Sequence, residues 1–227
     1  MTNKEKKKID RVDTLTDNIG KLRAKYKADL DKGDKNTSDY LCALAVAIMD
    51  TIYERVGNED SAEDGHYGVT VFQKRHVKVK GQQVTFNYTG KSGVDHKKTL
   101  SEKRIADALS KILKDLPDED SFIFDCDPDD GEDTVCVRAS HVNDYLKPFG
   151  VTAKDIRGYH ANTLMDEALK GFKKPLSEDL TKDERKAQRK SEFEKALKQV
   201  AKDIGHEEAT LRTHYLLPHV EKTYLES

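Results

Sequence analysis

The sequence predicts a mainly helical domain that carries a small three-stranded antiparallel β-sheet. Apolar residues recur at helical spacing towards both ends of the chain, and between residues 76 and 100 the period shortens to two. A length of 227 residues allows one large domain or two small ones with a sizeable core.

Residues 1 to 10 are polar, and a frayed, disordered N-terminus is expected there. A helix follows over residues 12 to 30, with Leu15, Ile19, Leu22 and Tyr26 on one stripe. Ser38 can cap a second helix, whose run from Tyr40 to Met49 is the most apolar in the chain and is expected to be buried. It is expected to end near Arg55, with Gly57 just past its end and a loop over residues 58 to 68. His76-Val77-Lys78-Val79-Lys80 and Gln83-Val84-Thr85-Phe86-Asn87-Tyr88 alternate about Gly81-Gln82 as a hairpin. Thr89-Gly90-Lys91-Ser92-Gly93 is a second turn, and residues 94 to 100 return as a third strand with Lys91 at the tip.

Ser101 can cap a helix to about residue 115, residues 135 to 137 read as a short strand, and Ser140 opens another helix. Thr152 or Ala153 starts the next, with Lys154, Arg157 and His160 three apart on one face, until the break at residues 171 to 175. Residues 174 to 195 are nearly all polar and read as a linker or a solvated helix. Leu197, Val200 and Ile204 resume the apolar spacing, Gly205 stops it, and Gly205 to Tyr215 reads as the last helical run.

Charged residues make up 36% of the chain, so the surface is heavily solvated, and the net charge is only −2. That charge is segregated. Residues 70 to 104 hold nine bases against two acids, and residues 115 to 133 hold ten acids and no base. The basic region can face phosphates while the acidic one faces solvent. Cys42, Cys126 and Cys136 form no CxxC pair, no secretory segment is visible, and a reducing intracellular setting is expected. No apolar run approaches the ~20 residues that span a bilayer.

Two motif likenesses fail on spacing. Gly90-Lys91-Ser92 lacks the first glycine of a phosphate-binding loop, since Thr85 stands there. In the acidic run from Asp125, the glycine falls at position 7 and Cys136 at position 12, against a calcium loop.

The chemistry-bearing residues are Arg55 in Arg-Val-Gly-Asn-Glu, Lys91 between two glycines, Arg157 in Lys-Asp-Ile-Arg, and His206 nine residues before Tyr215. With Tyr67-Gly68-Val69-Thr70 and Lys74-Arg75-His76-Val77, these blocks resemble, in family order from about residue 11 to the end, the catalytic domain of type IB DNA topoisomerases, most of all the poxvirus and bacterial branch. The resemblance implies the catalytic-domain fold of tyrosine recombinases and type IB topoisomerases. That branch carries an N-terminal β-rich lobe, to which no part of the sequence corresponds.

The resemblance implies ATP-independent relaxation of duplex DNA through a 3′-phosphotyrosyl ester on Tyr215. The residue chemistry agrees. A phenol is a poor nucleophile at neutral pH, so its attack on phosphorus needs charge neutralised on the non-bridging oxygens. Arg55 and Arg157 suit this because guanidinium forks onto phosphate and stays charged. His206 can add a hydrogen bond, and Lys91 can protonate the departing 5′-oxygen. No metal or other cofactor is expected. Lys74, Arg75, His76 and Lys154 are expected DNA-backbone contacts, and His160 a local packing or phosphate contact. The partner is duplex DNA, not a membrane, and a monomer is expected. Two rivals stand: a tyrosine recombinase, against which Lys154 replaces the His usual three residues before the second arginine, and a non-catalytic helical DNA-binding module. Tyr224 is the competing nucleophile, without a histidine nine residues before it.

Overall fold

The structure, a computed structural model, describes residues 2–124, 135–172 and 179–227. The acids from 125 to 133, Cys126, and residues 173 to 175 of the expected helix break lie outside these residues, whereas residues 171 and 172, also placed in that break, are still in the helix. The helices are α1 (Asn3–Lys32), α2 (Ser38–Ile52), α3 (Glu59–Glu63), α4 (Lys103–Asp115), α5 (Ala139–Leu146), α6 (Ala153–Phe172), α7 (Lys182–Ile204), α8 (Glu208–Thr210) and α9 (Pro218–Leu225). The strands are β1 (Val77–Lys80), β2 (Gln83–Gly90) and β3 (Val94–Ser101), in the order β1-β2-β3 and antiparallel throughout. The expected fold class is therefore present. The chain divides into two compact units, Thr14–Ile156 and Met1–Asp13 with Arg157–Ser227.

The unit from Thr14 to Ile156 is built on α2. Every residue from Tyr40 to Met49 is buried, because an all-apolar run has no solvent face to offer, and α4, α5 and β3 pack around it; Asp50 is buried too, where Arg23 and the Tyr26 hydroxyl donate to its carboxylate. β2 alternates buried Val84, Phe86 and Tyr88 with more exposed neighbours, and α4 packs on both β1 and β2. Gly81, at φ +61, supplies the left-handed first position of the tight β1–β2 turn. Burial pushes the Cys42 thiol up to about 11, as befits a core cysteine.

In the other unit α7 packs against α9 and the short α8. Phe193, Leu197, Val200 and Ile204 are its buried stripe.

Several sequence expectations need correction. Helix α1 begins at Asn3, where a frayed segment was expected, because Thr2 and Glu5 cap its start reciprocally: Thr2 N donates to Glu5 Oε2 at 2.6 Å and Glu5 N to Thr2 Oγ1 at 3.2 Å. Thr37 rather than Ser38 caps α2, and Glu102 rather than Ser101 caps α4. Helix α2 ends at Ile52, before Gly57, because Tyr53 takes the left-handed conformation at φ 61. Asn58 caps the five-residue α3 inside the expected loop, and α5 starts at Ala139. Residues 135 to 138 form no strand. Cys136 is disulfide-bonded, which the expectation of a reducing setting did not anticipate.

From residue 182 the polar run is a mostly exposed helix, the second of the two readings offered for it. It enters α7, capped by Thr181 and Glu184, and continues without a break into the apolar run. Two of its charged residues, Arg189 and Glu192, are buried together. The last helix is α9, which the apolar spacing did not reveal. Among the described residues no helix is long and apolar enough to cross a membrane.

Candidate active site

Arg157, His206 and Tyr215 lie in one unit. Arg157 sits one turn into α6, is 3% exposed, and its Nη2 donates to the carbonyl of Ile204 at 2.7 Å. The guanidinium is thereby held at the C-terminal end of α7. That end is closed by Gly205 at φ +78: Gly205 N reaches the Lys202 carbonyl at 3.2 Å, and His206 N reaches Ala201 at 2.8 Å. His206 is thus fixed two residues beyond the carbonyl that Arg157 holds. Its ring lies against that of Tyr215, centroids 4.8 Å apart and tilted by 34°.

Tyr215 closes a π-turn, Leu211–Tyr215, in which Leu216 N donates to the Leu211 carbonyl at 3.1 Å. Such turns widen the helix and present a side chain that a regular turn would place elsewhere. The segment is tied down on several sides. Asn162 of α6 donates from Nδ2 to the Tyr215 carbonyl at 2.9 Å and accepts from Leu217 N at 2.8 Å. Lys8 of α1 donates to the carbonyls of Thr213 and Leu216 at 2.9 and 3.1 Å. Arg212 pairs with Glu194 of α7 at 2.6 Å and Glu221 of α9 at 3.2 Å. Sequence reasoning missed Asn162 and Lys8, since neither stands in a motif and both act through backbone atoms.

Tyr224, the competing tyrosine, is 4% exposed and donates its hydroxyl to Glu192 at 2.8 Å, with the Arg189 guanidinium 5.3 Å from its ring. Burial, then Glu192, raises its pKa above the usual phenol value. Its hydroxyl is committed to joining α9 to α7.

Arg55 and Lys91 lie in the other unit. Arg55 follows the left-handed Tyr53, a conformation that a bulky residue rarely adopts. The buried Glu54 organises this stretch. It accepts from Arg55 N at 2.8 Å and from the Tyr88 hydroxyl of β2, and pairs with Lys98 of β3 at 3.3 Å. The Arg55 carbonyl receives Val69 N, and the Val56 carbonyl receives Thr70 N. This pairing brings Gly57 and Gly68 into backbone contact, and a Cβ on Gly68 would meet the Gly57 Cα at 2.5 Å. The glycines of these two motifs are therefore required by close approach; at Gly57 that replaces the helix-end role expected for it.

Lys91 is exposed and opens the turn Lys91–Gly93 between β2 and β3, at the expected tip. A Cβ at Gly90 beside it would lie 2.6 Å from the His96 ring, which would have to move aside.

The expected DNA contacts divide. Arg75 and Lys154 are exposed, though Arg75 also pairs with Asp120 at 2.6 Å and donates to the Tyr67 hydroxyl at 3.1 Å. Lys74 is half-buried and donates to the Leu116 carbonyl at 2.7 Å. His76 is buried, its Nδ1 accepts from Gln73 N at 3.0 Å, and its ring packs on Tyr67. Burial, reinforced by Arg75, pushes its pKa down to about 4, so at neutral pH it carries no charge to offer a phosphate. His160 is likewise buried, against Tyr159. Lys154, Arg157 and His160 do not form one exposed face.

The fold is a mainly helical one that carries a single three-stranded antiparallel sheet among the described residues. The chain belongs to the family described as eukaryotic DNA topoisomerase I, catalytic core, whose model matches residues 1–222. It is similar to the DNA topoisomerase 1B of Acanthamoeba polyphaga mimivirus, 26% identical over 225 residues, which cover 97% of this chain and 65% of that protein. The chain thus spans about two-thirds of the length of that relative. Among solved structures it is similar to a XerH site-specific recombinase bound to its difH substrate before cleavage, at 13% identity and a TM-score of 0.48, covering 89% of this chain and 52% of that one. The post-cleavage complex on a palindromic difH substrate gives 15% identity, the same TM-score of 0.48, and coverage of 91% and 50%.

Proposed function

We propose that this chain is the catalytic domain of a type IB DNA topoisomerase. The Tyr215 hydroxyl attacks a backbone phosphorus of duplex DNA, the bond to the 5′-oxygen breaks, and a 3′-phosphotyrosyl ester forms. The cut strand swivels, and the 5′-hydroxyl attacks the ester to reseal the strand and release the phenol. The ester retains the energy of the broken bond, so no ATP is consumed.

The observation that supports this most is the presentation of Tyr215. It stands at the end of a π-turn with the His206 ring against it, while the competing Tyr224 is buried on a carboxylate. In this reading Arg55 and Arg157 neutralise the non-bridging oxygens, and His206 donates to one of them. Lys91 protonates the leaving 5′-oxygen from an exposed turn. Arg75 and Lys154 contact the backbone electrostatically, which positions the duplex without reading its sequence.

The test is plasmid relaxation in EDTA without ATP, with a two-duplex strand-exchange assay beside it. Relaxation without exchange supports the proposal. Exchange between duplexes would make the protein a recombinase, and binding with neither activity would make it a non-catalytic module.

A further inference from the structure

The first three turns of α1 have no part in the chemistry proposed above, and residues 1 to 10 read from the sequence as a frayed terminus. The structure uses them differently. Lys8 sends its ammonium to the carbonyls of Thr213 and Leu216, two residues before and one residue after Tyr215. Both acceptors are main-chain, so the contact constrains the backbone that carries the phenol. Carbonyls at the end of a helical segment lack intrahelical donors, and a cation there is favoured by the local dipole. The lysine is delivered from an ordered helix, since Thr2 and Glu5 cap the start of α1. A cleft of about 330 Å³ opens between these turns and the tyrosine segment, lined by Thr2, Glu5, Lys8, Arg212 and Thr213. The Lys8 ammonium bridges the two sides of this cleft, which Leu216 and Leu217 also line.

We infer that Lys8 is a positioning residue for Tyr215: the start of α1 holds the tyrosine segment so that its hydroxyl stands ready for attack. The inference rests on the reading of Tyr215 as nucleophile. In-line attack is sensitive to placement, and displacements near 1 Å can cost about a hundredfold in rate.

The experiment uses the full chain with Lys8→Met and Lys8→Arg. Three quantities are measured: single-turnover cleavage of a duplex that releases its 5′ fragment, non-covalent DNA affinity in a Tyr215→Phe background, and the ¹⁹F resonance of 3-fluorotyrosine at position 215, assigned by its loss in Tyr215→Phe. Lys8→Met is expected to slow cleavage about tenfold or more, leave affinity within about twofold, and shift or broaden the Tyr215 resonance; Lys8→Arg restores rate and resonance. Cleavage by Lys8→Met at the unmodified rate overturns the inference. So does equal damage in both variants, or an affinity that falls in step with the rate, which would make Lys8 a DNA contact. If the unmodified chain cuts no DNA, the functional reading fails and the resonance alone decides. A line unmoved in Lys8→Met then overturns the clamp, and a moved one supports it.

Discussion

Asn162 grips the main chain on both sides of Leu216, donating to the Tyr215 carbonyl at 2.9 Å and accepting from Leu217 N at 2.8 Å. One side chain uses both halves of its amide on the segment that bears the tyrosine, and it stands five residues beyond Arg157 on the same helix. Replacing it by Ala removes both bonds and leaves two main-chain groups to find water. Asn162→Ala is expected to lower unfolding free energy by about 1–3 kcal/mol in urea titration. Asn162→Asp keeps the acceptor and loses the donor, and should fall between the two. A stability unchanged in both would mean that this grip contributes nothing.

The two C-terminal tyrosines should respond oppositely to loss of a hydroxyl. Tyr215→Phe should abolish covalent attachment to DNA and leave non-covalent binding nearly intact, because no charge is removed. Tyr224→Phe should still form the adduct, and should lose about 1 kcal/mol of stability because Glu192 gives up one of its donors. Denaturing gels with labelled DNA, beside urea titration, distinguish the two.

Lys91→Ala should slow cleavage severely on ordinary DNA and be rescued on a 5′-bridging phosphorothiolate, since a thiolate leaves without a proton. Lys91 lies on an exposed turn, so the substitution should not disturb the fold. Equal damage on both substrates would assign Lys91 to phosphate positioning instead.

His76 sets a pH dependence of stability. Its pKa lies near 6.5 in the unfolded chain and is pushed down to about 4 in the folded one by burial. Between these values the unfolded state binds more protons, so stability should fall as pH drops from 6.5 towards 4 and be unaffected by this group above 7. His76→Gln, which can still accept from Gln73 N, should flatten that part of the profile. Urea titrations of both proteins at pH 7 and pH 4.5 check this, and an unchanged difference between the two pH values would refute it.

The sequence revealed the sheet because β2 faces a core on one side only, so its burial alternates residue by residue. It revealed α2 through sheer apolarity. It did not reveal the start of α1, which is held by polar contacts at Thr2, Glu5 and Lys8 that leave no hydrophobic period. The first half of α7 was obscure for a related reason. Its charged letters mark a mostly solvated helix, but Arg189 and Glu192 are buried as a pair with Tyr224, which the letters alone do not distinguish. His76 reads as a phosphate contact from its basic neighbours and only packing shows that it is buried, while for His160 packing decides between the two readings offered. Gly57 and Gly68 are distant in sequence, and their mutual contact explains both motifs only once Val69 and Thr70 are seen to pair with Arg55 and Val56.

On the proposed function, DNA becomes esterified to Tyr215. Trypsin cuts after Arg212 and Lys222, so Tyr215 and Tyr224 fall in different peptides, residues 213–222 and 223–227. The direct measurement is to trap the covalent complex on a suicide duplex in EDTA without ATP, digest it, and sequence the DNA-linked peptide. We expect a 3′-phosphorylated strand end on the 213–222 peptide alone. DNA on the 223–227 peptide, a 5′-linked end, or no adduct from a chain that still binds duplex would contradict the account.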